Sequence, residues 1–232
     1  MAAESVFTGL WIAVTIGVYS LMLRLYRRTN SFSLMHPVIT SSALIIGLLA
    51  WSGADYPLYR AHTALLHDCL ELATIAIAIP LFQERHRLRA LAIPLLTSLS
   101  AATALNLCLA YAIGSSLQLL PDSLIALLSK SVTTPVAIGI TELSGGSAAL
   151  TAAVVITTGI IGAMFGPLLL RYFQITDPVA RGVAMGTLAH GVGTARAFQM
   201  SPVSGAFAGL SMALCAIITS LVLPTIINHL GI

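Results

Sequence analysis

Charged side chains are scarce in this sequence. Asp, Glu, Lys and Arg make up 8% of its 232 residues, against 57% apolar, where a water-soluble domain carries roughly a quarter charged residues. That deficit, with a mean hydropathy of +0.95, excludes a soluble globular protein and leaves an all-α polytopic membrane protein. The net charge of +3 sits in short clusters beside apolar runs, which excludes a nucleic-acid partner and reads as topology. Cysteine is rare as well. Cys69, Cys108 and Cys215 each lie inside an apolar run with no CxxC spacing, so a disulfide or metal framework is excluded and small core residues is the expectation. The chain has no phosphate-binding loop, no metal-ligand pattern and no nucleophile with a spaced base. Lys130 and Ser131 stand in the order of an intramembrane Ser/Lys hydrolase, but helix neighbours point about 100° apart and cannot share the needed hydrogen bond. The sequence therefore argues against an enzyme and implies no cofactor. It also lacks the marks of a signal peptide, since Glu4 is its only early charge and its basic cluster follows the apolar run.

What the chain does have is apolar runs of spanning length, about 20 residues each. They cover 5–23, 33–51, 61–82, 91–113, 148–170 and 205–228. Basic clusters follow the first (Arg24, Arg27, Arg28) and the third (Arg85, Arg87, Arg89). Positive residues collect on the cytoplasmic side. The N-terminus is thus expected outside, with loops 24–32 and 83–90 inside and loops 52–60 and 114–120 outside. Segments 121–146 and 179–204 remain. Each is long enough to cross once as a broken helix, or to dip in and return as a re-entrant hairpin. Hairpins bring Arg171 and Arg181 to the cytoplasmic side, and full crossings face them outward; the charge rule favours hairpins.

The first of these segments holds the most informative stretch, Ser129-Lys130-Ser131-Val132-Thr133-Thr134-Pro135. An ammonium in hydrocarbon costs several kcal/mol, so an intramembrane Lys marks a site by default. Proline and β-branched residues argue against an unbroken helix there, and broken backbone at that depth must be buried or line a cavity. An anion site follows, with Lys130 as the point charge, Ser131, Thr133 and Thr134 as hydroxyl donors, and helix N-terminal amides beyond Pro135. The alternative is a structural ion pair of Lys130 with an acidic residue, the hydroxyls bonding back to their own helix.

The second segment carries His190-Gly191-Val192-Gly193-Thr194-Ala195-Arg196. Its glycines permit unusual backbone, Arg196 can grip a carboxylate with two bonds, and His190 can donate to a substrate or carry a proton. Against this, Arg196 can snorkel to an interface and His190 can be a packing residue. A third group, His67, Asp68 and Glu71, is a candidate proton relay or partner of Lys130, or else a wet cluster near the outer interface. Glu142 reads as a polar loop residue. The Gly162–Gly166 and Gly205–Gly209 spacings allow close helix approach, within the chain or in a dimer. A shift of 57 residues aligns Lys130 with Thr187, Ser144 with Ser201 and Pro167 with Pro224. Inverted repeats with discontinuous helices meeting at the midplane are a transporter signature.

These residues resemble the LrgB/CidB family of bacterial membrane proteins, to which the plastidial glycolate/glycerate transporter is a distant relative. The carrying stretches are Lys130 through Pro135, Gly159-Ile160-Ile161-Gly162-Ala163 with Gly166-Pro167, Ala180-Arg181-Gly182 with Met185-Gly186-Thr187, and His190 through Ala197. Ser129, Glu71-Leu72 and Ser204 depart from the family's pattern, which usually has proline, Gly-Pro and an acidic residue at those places. The resemblance implies two functions. Bacterial members are described as holin- or antiholin-like modulators of murein hydrolase activity and autolysis, working with a small LrgA/CidA-type membrane partner. Other members are linked to transport of glycolate, glycerate or pyruvate.

The expectation is six transmembrane helices plus two broken or re-entrant hairpins in the bacterial inner membrane, with a possible homodimer. Residues 1–115 would form a four-helix scaffold and 116–232 a repeat unit holding the transport site. A small carboxylate would contact Lys130, Ser131, Thr133 and Thr134 from one break and His190, Gly193, Thr194 and Arg196 from the other. His190, His67, Asp68 and Glu71 would be candidates for proton coupling.

Overall fold

The computed structural model describes residues 2–28, 37–66, 68, 69 and 78–231, and the chain divides into two compact units, Met1–Ala76 and Ile77–Ile232. In the first unit α1 (Ala2–Arg28) packs on α2 (Pro37–Ser52) and α3 (Tyr56–His62). Arg27 and Arg28 close the last turn of α1, where cations complement the carbonyl end of the helix dipole. Trp11 meets Tyr59 edge-to-face at 5.4 Å, and the Thr15 hydroxyl lies 3.0 Å from that of Tyr59. The expected span 61–82 passes through residues 67 and 70–77, so His67 and Glu71 lie outside the described residues. Asp68 is exposed.

The second unit runs α4 (Ala78–Gln83), α5 (Arg85–Ala90), α6 (Ala92–Ser116), α7 (Pro121–Leu128), α8 (Thr134–Leu143), α9 (Ala148–Tyr172), α10 (Pro178–Met200) and α11 (Pro202–Leu230). Proline opens α7, α10 and α11 and sits in the first turn of α8, where its missing N–H costs nothing. Ser147, Asp177 and Ser201 cap α9, α10 and α11 by accepting from backbone amides three residues on. Four described helices are long and apolar enough to span a membrane: Phe7–Arg28, Ala92–Ser116, Ala148–Tyr172 and Pro202–Leu230.

The second unit turns apolar side chains outward as well as inward and buries a set of hydroxyls among them. Leu105, Ile161, Leu168, Ile217 and Leu221 are exposed, while Thr141, Thr151, Thr187, Thr194, Ser204, Ser211 and Thr219 are buried. Apolar faces turned outward suit lipid, and several inward hydroxyls bond to one another or to the backbone: Thr141 and Thr151 are 2.9 Å apart, and Thr187 donates to the Val183 carbonyl at 2.7 Å. The protein is a multi-pass helical membrane protein. One expectation needs correcting. Only Cys215 is a core residue, and Cys69 and Cys108 are exposed, because a thiol is apolar enough to face lipid as well as protein.

Contacts give the directions of the helices. The Ser204 hydroxyl donates to the Pro178 carbonyl at 2.9 Å. A Cβ on Gly182 would strike the Ser204 carbonyl, and one on Gly186 that of Ala208. The first half of α10 therefore runs parallel to α11. At Ala189 (φ −125°, ψ 16°) and His190 (φ 38°, ψ −127°) the helix breaks. Beyond it Thr194 reaches Met212 and Phe198 lies over Gly205, so the second half returns antiparallel to α11. The outward leg is about 17 Å deep at helical rise, roughly half a bilayer. Likewise α7 runs antiparallel to α6, with Leu124 on Gly114 and Lys130 on Asn106, and the end of α8 comes back to α7, with Gly146 against Ile125.

Candidate functional site

The two breaks meet at the middle of α9. Val132, from the first, is fully buried with Ala137 and Val155. From the second, the His190 ring reaches the Val155 carbonyl at 2.9 Å. A carbonyl only accepts, so Nε2 carries the hydrogen. The ring is seated against Gly159, and Ala189 against Gly162. Gly162 and Gly166, read from sequence as a close-packing pair, serve packing of α9 on α10, since Gly166 receives Met185.

At the first break α7 ends when the Ser129 hydroxyl turns back to the carbonyls of Ile125 and Ala126, at 3.0 and 3.2 Å. This back-bonding competes with helix continuation. Thr133 then starts α8 from an extended conformation, without a side-chain capping bond. Between these turns Lys130 and Ser131 face the middle of α6. Lys130 Nζ donates to Asn106 Oδ1 at 2.5 Å, and Asn106 Nδ2 donates to Ser131 Oγ. Among the described residues the one ion pair within 4.0 Å joins Arg87 to Glu84 at 3.3 Å, so Lys130 has no described acidic partner. Its neighbour is a neutral amide.

Beside this pair lies a cavity walled by Thr103, Asn106 and Leu107 of α6, Leu128 and Ser131 at the first break, Thr187 of α10, and Cys215 and Thr219 of α11. Its volume of about 10 Å³ is that of one water. A larger cleft of about 820 Å³ runs between α6 and the first half of α10, from Arg87 and Asp177 at one end to Asn106, Leu109, Thr187 and Leu188 at the other. Its walls are mostly apolar, with Ser98, Asn106 and Thr187 as polar points.

The structure thus brings together only part of the set read from sequence. Ser131 lines the cavity, and Lys130 adjoins it through Asn106. Thr133 and Thr134 are half-buried at the start of α8. Thr194 spends its hydroxyl on the His190 carbonyl at 2.8 Å, closing the break. The strained backbone falls on His190 rather than on Gly191 or Gly193; Gly193 is needed because a Cβ there would strike the Met185 carbonyl. Arg196 donates to Gln199 at 2.7 Å, one turn further along its own helix. Glu142, read as a loop residue, is exposed but lies in the last turn of α8, because the helix continues to Leu143. Sequence reasoning missed Asn106, Thr103 and Thr219. It had a signal for Thr187, the counterpart of Lys130 under the 57-residue shift.

A sequence profile of the LrgB-like family matches residues 15–229. The chain is 36% identical over 194 residues to the uncharacterized protein YwbG of Bacillus subtilis (strain 168), covering 84% of this chain and 86% of that one. It is 30% identical over 218 residues to the holin-like protein CidB of Staphylococcus epidermidis, covering 94% and 95%. With the antiholin-like protein LrgB of Bacillus subtilis it shares 28% identity over 220 residues, 95% of each chain. No solved structure matches it.

Proposed function

This chain belongs to the LrgB-like family, and we propose that its molecular activity is secondary transport of small carboxylates of the glycolate, glycerate or pyruvate kind across the bacterial inner membrane. The observation that carries this reading is Lys130. Its amine stands at the middle of α6 on a neutral amide, with no described carboxylate within ion-pair distance. A charge at that depth is costly unless paired, and a small acid supplies the missing charge. Ser131, on the other arm of Asn106, offers a hydroxyl.

Two further features support a carrier. Segments 121–146 and 179–204 fit re-entrant hairpins, because each returns beside its own outward leg. Their tips meet at Val155, and hairpin plus long helix occurs twice, with Pro167 and Pro224 inside the two long helices. The long helices run in opposite directions, since α9 is antiparallel to the outward leg of α10 and α11 is parallel to it. That is an inverted repeat around a midplane site. In this topology the N-terminus is outside, residues 116–232 form the transport unit, and Arg171 and Arg181 join the cytoplasmic cations. The water-sized cavity is a closed state, and a three-carbon acid enters only when the hairpins part.

The names of the relatives favour a second reading more than this one. A holin- or antiholin-like regulator would act on murein hydrolase release together with a small LrgA/CidA-type partner, without transport of its own. Purified protein in liposomes separates the two. The carrier reading expects counterflow of labelled glycolate, glycerate or pyruvate that is lost in Lys130→Ala and Lys130→Gln while both variants stay monodisperse. Leakage of large dyes without counterflow supports the regulator, and counterflow unchanged in both variants rejects the site.

A further inference from the structure

Asn106 joins the polar side chains of the first break to both cavities of the second unit. Its Oδ1 accepts from Lys130, its Nδ2 donates to Ser131, and its side chain lies on the wall of both the small cavity and the inner end of the large cleft. A primary amide is planar and places an acceptor and a donor on one carbon. A carboxylate has the same plane and spread, with two acceptors and a full charge. We infer, resting on the carrier reading above, that Asn106 is the latch of the site: in the empty protein its amide oxygen holds the place at Lys130 that the substrate's carboxylate takes, and a substrate entering along the α6–α10 cleft displaces it.

The residue type fits that task. An acidic residue at this position would pair with the ammonium permanently, because charge-assisted bonds between ions are the strong ones. An apolar residue would leave the buried amine without a partner. Asparagine holds the amine by a dipole, firmly enough to keep the empty site closed and weakly enough to yield to an ion. Release of its Nδ2 also frees the Ser131 hydroxyl, so one movement presents two donors to the incoming anion. The cleft ends on the same residue, so the path and the latch meet there.

Cys215, buried on the cavity wall, is a native reporter for this movement. With Cys69 and Cys108 changed to serine, the rate at which a small neutral thiol reagent modifies Cys215 reads how often the cavity opens. Asn106→Leu keeps the volume and removes both hydrogen bonds. It is expected to speed modification of the empty protein about tenfold or more, the factor for loss of a charge-assisted bond. Asn106→Asp is expected to slow it, and to abolish the protection that glycolate gives the unmodified site. If the leucine variant does not elute as a single species, Asn106→Ser takes its place. Equal rates in all variants overturn the latch, and with glycolate protection intact they leave the carrier reading standing. Faster modification in Asn106→Leu, with no protection by glycolate, glycerate or pyruvate in any variant, keeps the latch and overturns the carboxylate.

Discussion

The imidazole of His190 donates to the main-chain oxygen of Val155, 2.9 Å away, from a backbone at φ 38°. One bond thereby pins the tip of the second broken helix to the helix that also receives Val132 from the first. The conformation is one that residues with a Cβ seldom adopt, and it costs of order 1–3 kcal/mol. The ring's bond and its seat against Gly159 offset that cost.

His190→Gly should therefore be more stable than His190→Ala, although both lose the same bond. Glycine relieves the strain that alanine retains. A difference of about 1 kcal/mol is expected, seen as a higher thermal midpoint for the glycine variant in detergent. The opposite order would show that the tip is not strained.

Gly186 and Gly191 should answer oppositely to the same change. A Cβ on Gly186 runs into the Ala208 backbone, while one on Gly191 meets open space. Gly186→Ala is expected to cost about 3 kcal/mol through overpacking. Gly191→Ala should be neutral, or stabilising by up to about 1 kcal/mol, through helix propensity. Thermal unfolding of the two single variants tests this.

The hairpin topology places Leu143 outside and Gln174 inside, whereas full crossings reverse both. In a protein whose three cysteines are replaced by serine, Leu143→Cys should react with an impermeant thiol reagent added to intact cells. Gln174→Cys should react only after permeabilisation. The reverse pattern would replace both hairpins by crossings.

Ser131→Ala and Arg196→Gln should differ in transport. Ser131 lines the cavity and bonds to Asn106, and its loss should lower counterflow about tenfold, the value of one hydrogen bond. Arg196 reaches Gln199 along its own helix, and its neutral variant should retain most of the counterflow. A larger loss in Arg196→Gln would move the site toward the second half of α10.

Much of this was legible in the sequence. Runs 91–113, 148–170 and 205–228 appear as α6, α9 and α11, because uninterrupted apolar composition leaves a membrane helix no alternative. Both breaks were visible, the first from Pro135 and its hydroxyls and the second from the glycines around His190. The partner of Lys130 was not. An isolated Asn inside the apolar run Ala102–Ala112 looks like any polar residue tolerated in a helix, and only tertiary packing brings it to Lys130. Thr194 misled for a related reason. A hydroxyl at a break can serve a ligand or close the break itself, and spacing does not tell which. Arg196 looked like a carboxylate clamp, yet the helix carries it one and a half turns beyond the tip.

The cleft from Arg87 to Asn106 also has an electrical meaning. Filled with water, it brings the potential of one compartment down to the level of Lys130. The membrane voltage then falls mainly across what remains, the few layers of side chains between Asn106 and the far ends of α6 and α11. At about 2.3 kcal/mol per elementary charge per 100 mV, an anion stepping past Asn106 would collect most of that work within a short distance, and transport would be steered by voltage even though its path inside the protein is brief.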